Sequence, residues 1–227
     1  MVESTGEMIE RDTILGRIRE ALRVTAYVPG GAGLPTTVDR RRVLPAAGAT
    51  FDERAALFAR NAGELTATFN VLQDAGTLAA ALGVLRDAEG WTRVAAHRGE
   101  LAGDAARSLG LPLLFTDGGY DRNALERCDV GISECDALVA QTGTVVVTSR
   151  SAGGRALSCL PPHHVVLARR EQLVADLPAA FQLVAGRYGA DYPSVISFIT
   201  GPSRTADIER SLVLGAHGPK RLTIFMV

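Results

Sequence analysis

Lysine is almost absent from this chain: Lys and Arg total 24, and only Lys220 is a lysine. A P-loop, a protein-kinase site and a Schiff-base enzyme each need a lysine in a defined sequence context, and none of those contexts surrounds Lys220. Cysteine is scarce too. Cys128, Cys135 and Cys159 are odd in number and irregular in spacing, which excludes a disulfide framework and any C-x2-C run for zinc or an iron–sulfur cluster. Reduced thiols are expected. Charge excess is missing, with Asp and Glu totalling 25 for a formal charge of −1. Nucleic-acid affinity rests on a basic footprint, so DNA and RNA are not expected partners. No stretch reaches the roughly 18 apolar residues of a membrane span, and MVESTGEMIERD has no basic region leading into an apolar one. The expectation is a cytoplasmic protein without a membrane span. A G-x-S-x-G elbow is absent as well, which removes the α/β-hydrolase reading.

What is present is apolar content, 47% over 227 residues, enough for one well-buried core and an appendage. Ile14, Ile18 and Leu22 recur four apart among charged residues, an amphipathic helix startable at Asp12 or Thr13. Over 25–50 the breakers Pro29-Gly30-Gly31, Pro35 and Pro45 crowd out regular structure, and Arg40-Arg41-Arg42 is a solvated cluster. The chain therefore divides into an N-terminal helix and linker arm, 1–50, and an α/β domain, 51–227.

From residue 52 helix and strand alternate. Helices are expected over 52–67, to about 88 from a cap at Thr77, over 99–109 and over 121–127; strands fall at 69–72, 92–96, 111–116 and 129–133. The second half brings apolar strands at 144–149, 165–168, 195–200 and 222–227. Helices are expected at 171–187, bent near Pro178, and at 204–212. Short connections between alternating elements are the sequence form of βαβ units. The fold expected is α/β: a single largely parallel sheet flanked by helices.

Four stretches offer chemistry. GPSRTADIE, 201–209, follows the strand VISFIT; Ser203 and Thr205 can cap a helix, with Asp207 and Glu209 in its first turns. The carboxyl end of a strand is where open α/β sheets bind ligands, so Gly201, Ser203, Arg204, Thr205, Asp207 and Glu209 are candidate ligand residues. The two carboxylates oppose a phosphate and favour a hydroxyl-bearing ligand. Gly143 and Thr144 feed a buried strand, and the turn Gly153-Gly154-Arg155 supplies a lone cation suited to a carboxylate, near Ser158. His217 sits between glycines before the last strand. Cys159, His163 and His164 look like metal ligands, but adjacent histidines at a strand entrance point to opposite faces and no third ligand stands at a suitable spacing. No metal site is assigned.

The co-linear order of GISECDALVAQTGT, the Gly153-Gly154-Arg155 turn with Ser158, Leu160 and Pro161, VISFITGPSRTADIE and VLGAHGP resembles the lactate-utilisation protein C family, built on a LUD domain. The resemblance runs from about Gly131 to the C-terminus. It implies a fold like that of the ribose-phosphate isomerase, glucosamine-phosphate deaminase and CoA-transferase group. It also implies a part in oxidising L-lactate to pyruvate beside iron–sulfur partner proteins. The chain would then bind substrate or assemble the complex, carry no cofactor itself and not turn over alone. Gln141 stands where many family members have Glu, and an amide cannot be the covalent nucleophile of acyl-CoA chemistry. Glu134 is nearby, with nothing in the motif giving it that role. Two alternatives stay open: a stand-alone isomerase- or transferase-like enzyme on a small phosphorylated or CoA-linked substrate, and a non-catalytic interaction module.

Overall fold

The first half of the domain folds as its alternation predicts, with each helix start fixed by a side chain. In a computed structural model, residues 13–20, 23, 46–206, 212–215 and 217–227 are described. The chain divides into two units, 1–42 and 43–227. In the first, α1 covers residues 13–20. The arginine triplet and most of the breaker-rich linker lie outside the described residues.

In the second unit, α2 (Phe51–Glu64) begins at a capping box, in which Thr50 and Glu53 satisfy each other's backbone N–H. After β1 (Thr68–Val71), helix α3 (Ala75–Glu89) is capped by Asp74, whose carboxylate accepts from the N–H of Thr77. The cap is thus Asp74, three residues before the expected Thr77, because a carboxylate accepts more strongly at a helix start than a hydroxyl. Then follow β2 (Val94–Ala96), α4 (Glu100–Ser108), β3 (Leu113–Phe115), α5 (Arg122–Glu126) and β4 (Val130–Glu134).

Beyond β4 the chain makes two short strands, β5 (Ala137–Val139) and β6 (Thr144–Thr148), before β7 (His163–Ala168). A 3-10 turn (Arg170–Gln172) and β8 (Leu173–Val174) precede α6 (Leu177–Tyr188). Pro178 lies in the first turn of α6, where its missing N–H costs nothing. It starts this helix and does not bend a longer one. Last come β9 (Ile196–Ile199), β10 (Arg204–Ala206), β11 (Leu212–Leu214) and β12 (Arg221–Met226).

Six strands form an all-parallel sheet in the order β1-β12-β7-β4-β2-β3. Its central strands are largely apolar because both faces are covered. Val166, Ala168, Ile224 and Met226 join Phe58 and Ala62 of α2 on one face. Val165, Leu167 and Phe225, one residue out of step, join Leu82 of α3 and Ala102 of α4 on the other. The expected parallel sheet is therefore present, and a four-stranded mixed sheet, β8-β5-β6-β9, stands in addition to it. The strand at 144–149 belongs to this second sheet.

Where a helix is expected over 204–212, the described residues at its two ends are instead paired strands. Arg204 pairs with Leu214 and Ala206 with Leu212, antiparallel. At the base of the pair the Ser203 N–H donates to Pro219 and the Gly215 N–H to Ser203, each at 2.9 Å. These bonds engage the backbone that a helix cap would have used. Asp207 and Glu209 lie outside the described residues.

Candidate functional site

Three separate chain segments meet at the amino end of β7 and β12. The 157–162 loop delivers Ser158 and Cys159, the end of β9 delivers Thr200 to Ser203, and the turn before β12 delivers His217 to Pro219. Backbone bonds lash them together: Ser203 to Pro219, Gly215 to Ser203, and the Lys220 N–H to Pro162 at 2.8 Å. Between them lies a cavity of about 210 Å³. Its polar lining consists of hydroxyl, thiol and imidazole groups, from Ser158, Cys159, His164, Ser197, Thr200, Ser203 and His217.

His164 is the best-defined polar group of the site. It is 1% exposed, its Nε2 lies 2.9 Å from Ser133 Oγ, and its Nδ1 has no hydrogen-bond partner. Burial, with a smaller push from neighbouring His163, drives its pKa down to about 3, so the ring is neutral at ordinary pH. A neutral imidazole with one nitrogen tied and the other open can exchange a hydrogen bond with a hydroxyl in the cavity. Buried polar atoms are nearly always partnered in folded proteins, and Nδ1 of His164, like that of His163, is an exception.

The adjacent His163 takes the opposite face, as strand alternation demands. It packs edge-on against Trp91 at 5.2 Å, and its Nε2 lies 2.9 Å from Thr223 Oγ1. Among the described residues, no group of three His, Cys, Asp or Glu stands close enough to hold a metal ion.

Of the residues picked out by sequence, the cavity gathers Ser158, Gly201, Ser203 and His217. Thr144 stands one layer behind. Its Oγ1 lies 2.7 Å from that of Thr142 and 2.9 Å from that of Thr200, so three hydroxyls run in a chain to the cavity wall. Gly143 has a packing role: at φ 64°, a Cβ there would lie 2.6 Å from the backbone nitrogen of Ala62 in α2. Arg155 is exposed and absent from the lining; its carbonyl accepts from Ser158 Oγ at 3.3 Å. Arg204 is exposed, with Nη2 3.6 Å from where a Cβ on Gly201 would stand, beside the cavity mouth. Thr205 is paired through its backbone in β10. Sequence reasoning set aside His164, although the alternation that separates it from His163 was visible in the paired histidines.

A parallel-sheet α/β protein with a small hydroxyl- and imidazole-lined cavity is the class that fold and site define. Within that class, residues 115–227 match the family described as "LUD domain", and the chain belongs to the LUD-domain family. Among its relatives, "Lactate utilization protein C" of Anoxybacillus flavithermus is 37% identical over 112 residues, covering 49% of this chain and 50% of that protein. The protein of the same description from Shouchella clausii is 40% identical over 103 residues, 45% of each chain. The chain spans about half the length of the curated relatives it matches. In fold it is similar to the crystal structure of a DUF162 family protein from Deinococcus radiodurans. The TM-score is 0.62 at 23% identity, covering 79% of this chain and 99% of that one.

Proposed function

We propose that this chain is a lactate-utilisation component that holds a small 2-hydroxy carboxylate, or its 2-keto product, in the cavity floored by His164. The observation that carries the reading is the orphaned Nδ1 of His164, a residue lining a cavity whose walls come from three of the motif segments on which the family resemblance rests. A volume near 210 Å³ suits a three-carbon acid. His164 Nδ1 meets the substrate oxygen on C2, while Thr200 and Ser203 hydroxyls, with Arg204 at the mouth, meet the carboxylate. Oxidation of a 2-hydroxy acid releases two electrons and two protons. We assign the electrons to partner proteins carrying iron–sulfur clusters, the protons to solvent, and to this chain the tasks of binding the acid and orienting its hydroxyl by a hydrogen bond to a neutral imidazole.

The test is a pair of assays on the purified chain. Calorimetric titration should detect saturable binding of lactate or pyruvate, while a dye-linked assay of lactate oxidation should stay at background until partner proteins are added. Turnover by the chain alone would defeat the accessory-subunit reading, and absence of binding to both acids would defeat the substrate-binding one.

A further inference from the structure

A second cavity, of about 470 Å³, opens at the opposite end of the parallel sheet. It lies beyond the carboxyl ends of β2, β4 and β7, at a topological switch. From β2 the chain crosses through α4 to β3 on one side, and from β4 it passes through β5 and β6 to β7 on the other. Such a divergence leaves a crevice in which α/β proteins bind ligands. Four arginines line it: Arg98 after β2, Arg150 after β6, Arg169 after β7 and Arg187 from α6.

Two of the three acids lining the crevice are engaged by backbone. Asp117 Oδ2 accepts the Arg98 N–H at 2.7 Å, and Glu134 Oε1 accepts the N–H groups of Leu101 and Ala102 at 2.8 and 3.1 Å, closing the start of α4. Glu171 is exposed. Three of the arginines are paired with acids: Arg150 with Asp191, Arg169 with Glu100, and Arg187 with the buried Asp136, each through one nitrogen. Asp191 and Glu100 are 85% exposed, and ion pairs so placed are weak and exchangeable. Arg98 has no acid partner among the described residues; its guanidinium lies over the Phe115 ring at 4.7 Å. His97 is buried, and its Nε2 accepts the Glu134 N–H at 3.0 Å, which leaves the ring proton on Nδ1 as a further donor.

We infer that this crevice is a binding site for a small phosphate monoester, with Arg98 and Arg169 as its principal anion ligands. Planar guanidinium forks match tetrahedral oxyanions in bidentate fashion, and several arginines lining one crevice suit a dianion better than a single carboxylate. The crevice is also about twice the volume of the motif cavity, room for an organic body behind the phosphate. This site is separate from the lactate reading and does not depend on it.

Inorganic phosphate is the probe, titrated against the full chain with sodium chloride at matched ionic strength as control. Melting temperature and calorimetric affinity are the readouts. Phosphate should raise the melting temperature saturably and chloride should not. R98Q/R169Q should weaken phosphate at least about tenfold, melt without ligand within about 2 °C of the parent and bind lactate or pyruvate unchanged. R98K/R169K should recover part of the affinity, because the charge persists without the fork. An equal shift with chloride, or undiminished phosphate binding by R98Q/R169Q, overturns the inference. Binding of heparin without binding of phosphate would also overturn it, in favour of a docking surface for an acidic macromolecule.

Discussion

Ser133 Oγ and His164 Nε2 lie 2.9 Å apart inside the sheet, on neighbouring parallel strands β4 and β7. That contact ties Nε2 and leaves Nδ1 as the ring nitrogen without a partner, in a residue that lines the cavity. His164→Leu should therefore abolish the melting-temperature shift given by lactate or pyruvate. Ser133→Ala, which frees the ring without removing it, should weaken binding only about three- to tenfold. Equal loss in both variants would mean that the histidine acts through packing.

His163 and His164, two of the three buried histidines, give stability a pH dependence of known sign. Burial lowers His163 to about 4 and His164 to about 3, below the unfolded value near 6.5. Between about pH 6.5 and 4 the unfolded chain takes up protons that the folded chain refuses. Stability is therefore complete above pH 6.5 and falls on acidification, by up to about 1.4 kcal/mol per pH unit for each ring. Urea melts at several pH values should show this slope, and it should flatten in His163→Gln and in His164→Gln; unchanged slopes would contradict the assignment.

Asp136 is fully buried, and its Oδ1 receives Arg187 Nη1 at 2.6 Å and the Tyr188 hydroxyl at 2.7 Å, anchoring α6 beside β5. Arg187→Met strands a carboxylate and should cost about 3 kcal/mol, whereas Tyr188→Phe should cost about 1 kcal/mol. D136L/R187M should be more stable than Arg187→Met alone in urea denaturation, since it removes the stranded charge with its partner.

The three thiols differ in access. Cys128 and Cys135 are buried, and burial raises both pKa values, while Cys159 is exposed on the cavity rim. Iodoacetamide on the native chain should modify Cys159 first, as peptide mass mapping would show, and saturating lactate or pyruvate should slow it. Modification at a rate indifferent to both acids would place the ligand elsewhere.

Gly143 separates packing from ligand binding. Gly143→Ala forces a side chain to a positive φ against the backbone of α2 and should cost about 2 kcal/mol or more. Ligand affinity per folded molecule should be unaltered, which denaturation and titration of the same sample would check.

The βαβ rhythm from α2 to β4 was legible because each strand there is short and apolar and each helix is bounded by breakers or caps. Three features were not. The pairing of 137–139 with 144–146 hides in a nearly continuous apolar run, where a bend and a strand look alike. The pairing of 204–206 with 212–214 hides behind helix-start chemistry in Ser203 and Thr205, yet those residues answer to Pro219 and to β11, which lie further along the chain. The arginine crevice collects residues from 98 to 187, each of which reads locally as an exposed surface cation.

Sequence by itself determined the α/β class, the parallel core and the order of the LUD-domain motifs, because these depend on local periodicity and on residues read in line. It also determined that His163 and His164 face opposite ways, since successive strand residues must. Only the tertiary structure decided which histidine floors the cavity, that Gly143 serves packing, that 204–206 pairs as a strand with 212–214, and that four distant arginines share one crevice. Those outcomes depend on which strands become neighbours, and that choice is made by burial of both sheet faces together, which no single segment encodes.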